Sequence, residues 1–564
     1  MSSRRGFVSW MVLGILFVLL TLGLGLAATT TNTLTRAVRE TRHQHAFDVA
    51  QAGLEYAVSH AYDAAEANHG DFVSADLDLT DTLEPLGLEP GDEVEATVRP
   101  GPAGFVAWIT CTATVRGFTR SLRTSVATKD VSVWNNAIFA GTGAAGRAIN
   151  GNVDIRGSVH ILGDGEYYSD LNGNGRWDAA EAFTDSNRNG VWDPGEPFVD
   201  ANGDGIWNSA EPYNDTNANG MYDPPLTTTE LSTTLGGTAY IGNNYSGMPS
   251  DLRALVPNPP VVSGVQTLGS EVRVKHGLVS ISGSATIGTN AIVDGGLSKN
   301  TVDGVYVNDG FTGNKGSSAV YSDNGASNAY DLGHLDMGFP VVSGIGAEPY
   351  TDTGGTVWNT QEDFLEARSL PVPLTTIKSS TAAFSYGPDA YGNRISFTPA
   401  TKTSPAVLEV YGIIRFAGDL QLGESKSTIL YRGSGTLYSR RDINVSCNLL
   451  PVAGQVFPTT ARLGLLAMRN MGLATGSGDA QLKMAAAFYA QGRITSAKQN
   501  QIAGTFVANF FDMGTNVPNI YQVPELRRNL PPGMPGDKPY VTLRIRTWRE
   551  RTPSGPAALS TPTL

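Results

Sequence analysis

The stretch "FVSWMVLGILFVLLTLGLGLAA", Phe7 to Ala28, runs for 22 residues without a charge. At about 1.5 Å per residue, a helix of that length crosses a hydrocarbon core of about 30 Å. The leader before it, "MSSRRG", carries Arg4 and Arg5, and basic residues keep such a flank on the cytoplasmic side. A secretory signal has an apolar run of about 7 to 15 residues and a small-residue cut site, for which Ala27 or Ala28 would serve. Here the run is longer and the helical period does not stop after it. Ala46, Val49, Ala50, Gly53, Leu54, Ala57, Val58 and Ala61 recur at spacings of three and four, which predicts an amphipathic continuation of the same helix over 7–69.

The short basic leader ending in Gly6, the apolar helix and the continuation "HAFDVAQAGLEYAVSHA" together resemble the N-terminus of type IV pilin-like proteins of the PilX type. That resemblance implies that a prepilin peptidase cuts between Gly6 and Phe7, making 1–6 a leader. It further implies a single pass through the bacterial inner membrane, export of the remainder to the periplasm or cell surface, and packing against other pilin or minor pilin subunits. Major pilins carry glutamate at the fifth mature position. Met11 stands there in this chain, as in PilX-like minor subunits, so the implied role is in assembly, at the tip or in adhesion.

Beyond the helix, "EVEATVRP", "FVAWITCTATV" and "TRSLRTSVAT" alternate apolar and polar residues. They predict a small antiparallel meander over 90–128, with turns at Gly101–Gly104 and Arg116–Phe118, that buries Val106, Trp108 and Leu122.

The densest signal lies between 164 and 226. "DLNGNGRWDAAEAFT" begins at Asp170, "DSNRNGVWDPGEPFV" at Asp185, "DANGDGIWNSAEPYN" at Asp200 and "DTNANGMYDPPLTTT" at Asp215, a period of 15 residues. Oxygen-bearing side chains fall at positions 1, 3, 5 and 9 of each copy and at position 12 of the first three, with glycine at position 6, the spacing of a calcium loop. Calcium takes six to eight hard oxygen ligands. Alternate side chains supply them, glycine turns the chain, a main-chain carbonyl serves at position 7 and a bidentate glutamate closes the shell at position 12.

On this register the first loop uses Asp170, Asn172, Asn174, the carbonyl of Arg176, Asp178 and Glu181. The second uses Asp185, Asn187, Asn189, the carbonyl of Val191, Asp193 and Glu196, and the third Asp200, Asn202, Asp204, the carbonyl of Ile206, Asn208 and Glu211. The fourth has Asp215, Asn217, Asn219 and Asp223, with Leu226 where the glutamate belongs. The expectation is calcium in about three complete loops and one incomplete loop. An exposed polar turn array would need neither Gly175, Gly190, Gly205 and Gly220 at one offset nor an aromatic at every position 8: Trp177, Trp192, Trp207, Tyr222. Only three residues separate one loop from the next, too few for EF-hand helices. The segment resembles the EF-hand-like loops of dockerins and thrombospondin type 3 repeats.

Charge agrees with this reading. Thirteen Asp and Glu against Arg176 and Arg188 between Asp164 and Asp223 account for −11 of the chain's net −13. The remainder is nearly neutral and offers no basic footprint for nucleic acid. Only Cys111 and Cys447 are present among 564 residues, which excludes a disulfide framework.

The other long segments, 131–163 and 227–550, are rich in glycine and in short apolar pairs. Leu420 and Leu422, Ile443 and Val445, Leu463 and Leu465, then Phe488 recur at about 20 to 25 residues. This predicts a mainly β fold class: a long N-terminal helix with a small antiparallel sheet, then a parallel β-helix (solenoid)-like domain carrying the calcium-loop insertion. A β-sandwich alternates similarly. The tail 551–564 reads as disordered. Parallel β-helices also host polysaccharide lyases, so a membrane-anchored protein that binds or degrades a surface glycan is the competing reading. Its candidates are Asp323, Asp331, His334 and Asp336, residue types that glycine-rich turns also use. No HExxH, phosphate loop or G-x-S-x-G occurs, and the expectation is a structural protein and no enzyme.

Overall fold

The structure, a computed structural model, describes residues 4–101, 105–130, 132–144, 154–163, 165–216, 220–224, 234–235, 240–262, 265–268, 338–512, 518–536 and 541–551. Between 268 and 338 it also describes 270, 272–274, 279–281, 286–287, 305–307 and 311–313. The chain forms two units, residues 131–540 and the segments that flank them on either side.

In the flanking unit, helix α1 runs unbroken over Arg4–Ala67. It contains no proline, so nothing removes a main-chain donor along its length. The threonines after Ala28 return their hydroxyls to the helix itself: Thr30 Oγ1 donates to the Leu26 carbonyl at 2.7 Å and Thr31 Oγ1 to that of Ala27 at 2.8 Å. The helix has two environments. From Trp10, 81% exposed, to Leu26, 68% exposed, its apolar side chains are exposed, and this part is long and apolar enough to cross a membrane. From Ala46 onward one stripe, Ala46, Val49, Ala50, Leu54, Ala57 and Ala61, is buried.

That stripe packs on an antiparallel sheet of β1 (Ala75–Asp78), β2 (Glu93–Pro100), β3 (Val106–Val115) and β4 (Phe118–Asp130). Alternation on β2 and β3 turns Val94, Ala96, Val98, Ala107, Ile109, Cys111 and Ala113 into the core. Val106 and Leu122 are buried as expected. Trp108 is not: it sits half-buried on the other face of β3, with the Arg123 guanidinium 4.1 Å from its ring centroid. Helix and sheet approach closely at Gly53, where a β-carbon would lie 2.6 Å from Cys111 Sγ and 3.2 Å from Val94 Cγ1.

A fifth strand closes this sheet from the far end of the chain. Val541–Arg551 pairs antiparallel with β4, from Val541 opposite Asp130 to Arg551 opposite Ser121. The expected boundary at residue 550 is thereby corrected to 540. "VTLRIRTWRER" is an alternating strand, and pairing it covers an edge of β4 that would otherwise stand open. The 131–540 unit is accordingly an insertion between two neighbouring strands of one sheet.

Within that insertion most of the described strands pair in parallel. The longest ladder stacks Leu370–Val372, Ala406–Phe416, Thr428–Ser439, Arg462–Ala467, Lys483–Ser496, Gln501–Asp512, Ile138–Ala144 and Val159–Ile161. One row of it aligns Leu370, Ile414, Leu437, Leu465, Phe488, Phe506, Ile138 and Val159, and from Ile414 to Val159 every member is buried. A second ladder puts Leu420 opposite Ile443 and Leu422 opposite Val445, then Met471 and Leu473. The pairs that recur in sequence are thus neighbours in space. Strand order does not follow chain order: Gln501–Asp512, near the end of the insertion, pairs with Ile138–Ala144 at its beginning. The first long strand of the insertion and its last long strand are thus neighbours in the stack.

Candidate metal centre

The four loops lie between Val159–Ile161 and Tyr240–Gly242, two strands of the ladders. Asn217, Asn219 and Leu226 lie outside the described residues; all other expected ligands are described. In each loop the position-6 glycine has φ between +74° and +78° (Gly175, Gly190, Gly205, Gly220), a region that only glycine enters freely. The turn folds the following N–H groups onto the first aspartate. Gly175 N donates to Asp170 Oδ2 at 2.7 Å, Gly190 N to Asp185 Oδ2 at 2.8 Å, Gly205 N to Asp200 Oδ2 at 2.9 Å and Gly220 N to Asp215 Oδ2 at 2.8 Å. Such bonds favour the ionised acid, and the Gly175 N–H chiefly holds Asp170 below the usual carboxylate range. At position 7 the side chains of Val191 and Ile206 are 61% and 65% exposed, and the Ile206 carbonyl accepts from Asn208 Nδ2 at 2.9 Å.

The closing glutamates do not follow the linear register. Only the second loop uses its own: Ser186 N and Asp193 N donate to Glu196 Oε1 and Oε2 at 2.7 and 3.1 Å. In the first loop the same two positions, Leu171 N and Asp178 N, donate to Glu211 at 2.7 and 3.1 Å. In the third, Ala201 N and Asn208 N donate to Glu181 at 2.7 and 3.1 Å. Glu181 and Glu211 have exchanged loops, because the chain doubles back on itself: Glu181 N donates to the Asn208 carbonyl and Glu211 N to that of Asp178, both at 3.0 Å. The fourth loop, incomplete in its own sequence, is met by Glu166, which accepts from Thr216 N at 2.5 Å and Asp223 N at 3.2 Å.

Glu166 escaped the sequence reading, although a signal for it exists. It stands one 15-residue period before Glu181, and "EYYSD" aligns with "EAFTD", "EPFVD" and "EPYND". The repeat begins with the glutamate, four residues before each first aspartate. Glu166, Glu181 and Glu211 are 3%, 8% and 4% exposed. Burial pushes the Glu166 carboxyl up against the opposing pull of the Thr216 and Asp223 N–H groups.

Aromatic residues tie the loops into pairs. Trp177 stacks on Tyr222 at 4.8 Å and Trp192 on Trp207 at 5.2 Å. Tyr168 bridges Tyr213, and Phe183 bridges Phe198, by isolated antiparallel contacts.

Among the described residues no three His, Cys, Asp or Glu side chains close together tightly enough to hold a metal by themselves. The donor set is mixed carboxylate and amide, all hard oxygen chemistry once the amides are oriented. Asn172 Nδ2 and Asn174 Nδ2 converge on Asp178 Oδ2, both at 2.6 Å. Amide nitrogen and oxygen exchange by a half-turn of the side chain, which would present oxygens at that point. The set suits calcium and has no soft ligand for zinc or copper.

Among the described residues no comparable site occurs elsewhere. Asp323, Asp331, His334 and Asp336 lie outside the described residues. Cys111 and Cys447 are both free and buried, and burial pushes each thiol up to about 12.

A long helix, apolar and exposed at first and then packed on an antiparallel sheet, defines a pilin-like fold. By sequence, no family and no characterised protein matches the chain. By structure it is similar to the competence-associated pilin ComZ from Thermus thermophilus, with a TM-score of 0.51 and 18% identity over 91% of this chain and 98% of that one.

Proposed function

We propose that this chain is a pilin-like subunit of a type IV pilus or related pseudopilus, of the PilX-like minor kind, that carries a large exported β-domain. The observation behind this reading is the divided helix: apolar residues exposed from Trp10 to Leu26, and one stripe from Ala46 to Ala61 buried on the sheet. A helix that is apolar all round has to be covered by lipid or by other helices. The inner membrane before assembly and neighbouring pilin subunits afterwards supply both covers. The solved neighbour is competence-associated, so a competence pilus is the first system in which to seek the partner subunits. The parallel ladders of the 131–540 unit are read as a β-helix in which the last long strand returns to pair with the first, with the loop array projecting from one coil as a calcium-stabilised module.

Cleavage after Gly6 by a prepilin peptidase tests the reading. Intact-mass measurement of membrane-extracted protein is expected to find Phe7 as the first residue. A mature start near Ala28 would make the apolar helix a discarded signal and end the proposal.

A further inference from the structure

We propose that the array holds four calcium ions in two reciprocally closed pairs, loops one with four and two with three, with Glu166 as the closing ligand of the fourth. This rests on the calcium reading above and goes beyond it in number, partnership and ligand.

The pairing follows from where each closing glutamate lies in the chain. Glu211 closes loop one and stands four residues before Asp215, the first ligand of loop four; Glu166 closes loop four and stands four residues before Asp170, the first ligand of loop one. Loops two and three repeat the relation: Glu196 closes two and precedes Asp200, and Glu181 closes three and precedes Asp185. Filling either loop of a pair therefore anchors the segment that opens the other. The ring stacks fall within the same pairs, Trp177 on Tyr222 and Trp192 on Trp207, and so do the two bridges.

An independent observation points to a cation. Glu166, Glu181 and Glu211 are more than nine-tenths buried, and among the described residues none of them forms an ion pair with Lys, Arg or His. Their main-chain N–H partners satisfy part of each carboxylate, while its charge stays unbalanced in a buried setting, a costly arrangement without a counter-ion. Calcium at each loop would supply the positive charge.

The test uses full-length protein extracted in detergent, depleted with chelator, then examined by native mass spectrometry in millimolar calcium. Wild type is expected to carry four ions and Glu166→Gln three. Two double variants separate exchange from the linear register. Asp200→Asn with Glu181→Gln should lose one ion, both changes falling on loop three, whereas Asp170→Asn with Glu181→Gln should lose two. The opposite result, or a wild type with three ions that Glu166→Gln leaves at three, overturns the proposal while the calcium reading stands. No bound calcium at all overturns both. Should Glu166→Gln fail to fold, the two double variants decide the exchange by themselves.

Discussion

At the scale of single residues, the array depends on a few positions whose geometry admits little choice. Gly175 combines φ +75° with the N–H that caps Asp170. Alanine there would place a β-carbon in the left-handed region at a cost of about 1–2 kcal/mol. Gly175→Ala is therefore expected to shift the calcium midpoint of tryptophan fluorescence upward by about tenfold, with loops two and three unaffected. Gly195, also in the array, bears a positive φ of 104° at position 11 of loop two, which supplies no ligand, so its alanine variant should strain the chain without moving the midpoint of loop one. Equal shifts for both variants would mean that strain alone, and no ligand turn, governs the loops.

At the scale of elements, the contact between α1 and its sheet is set by small residues. Ala46, Ala50, Gly53, Ala57 and Ala61 let the helix axis approach β2 and β3 closely. Gly53→Ala gains about 1 kcal/mol of helix propensity and loses about 1–3 kcal/mol to overpacking against Cys111 and Val94. The loss should win, lowering the thermal midpoint. Adding Cys111→Ala removes the 2.6 Å contact, so the double variant should recover part of the difference, a coupling that a double-mutant cycle measures. Strict additivity would place the strain elsewhere. Met11 and its neighbours, exposed along the first half of the helix, gain nothing from this sheet, and their apolar character makes sense only against lipid or another subunit.

At the scale of the whole molecule, the connection through Val541–Arg551 makes the sheet depend on the last part of the chain. Deleting 541–564 would leave ten residues of β4, Ser121 to Asp130, without their antiparallel partner. An open edge of that length invites pairing with another chain. The truncated protein is expected to aggregate after extraction, read by light scattering, while the ladders of 131–540 keep their β-type circular dichroism. A monodisperse truncation would show that the closing strand is dispensable. Chelation should act differently, loosening the aromatic stacks of the array and sparing both sheets.

Local chemistry made much of this legible from sequence. The continuous helix follows from an uncharged run and a three-four period, the loops from Asp, Asn and Gly at fixed offsets, and the stacked rows from apolar pairs about 23 residues apart, such as Leu420 and Ile443. Each is a periodicity, and periodicity survives in one dimension. What only the tertiary structure decided are the long-range closures: Val541 beside Asp130, Phe506 beside Ile138, Glu211 on loop one, Glu181 on loop three and Glu166 on loop four. The physical reason is common to all of them. A strand edge accepts any partner of suitable alternation, and a calcium loop accepts any carboxylate at the right point in space. Loop closure costs rise only slowly with chain length, so the nearest residue in sequence holds no decisive advantage over one that the fold brings back.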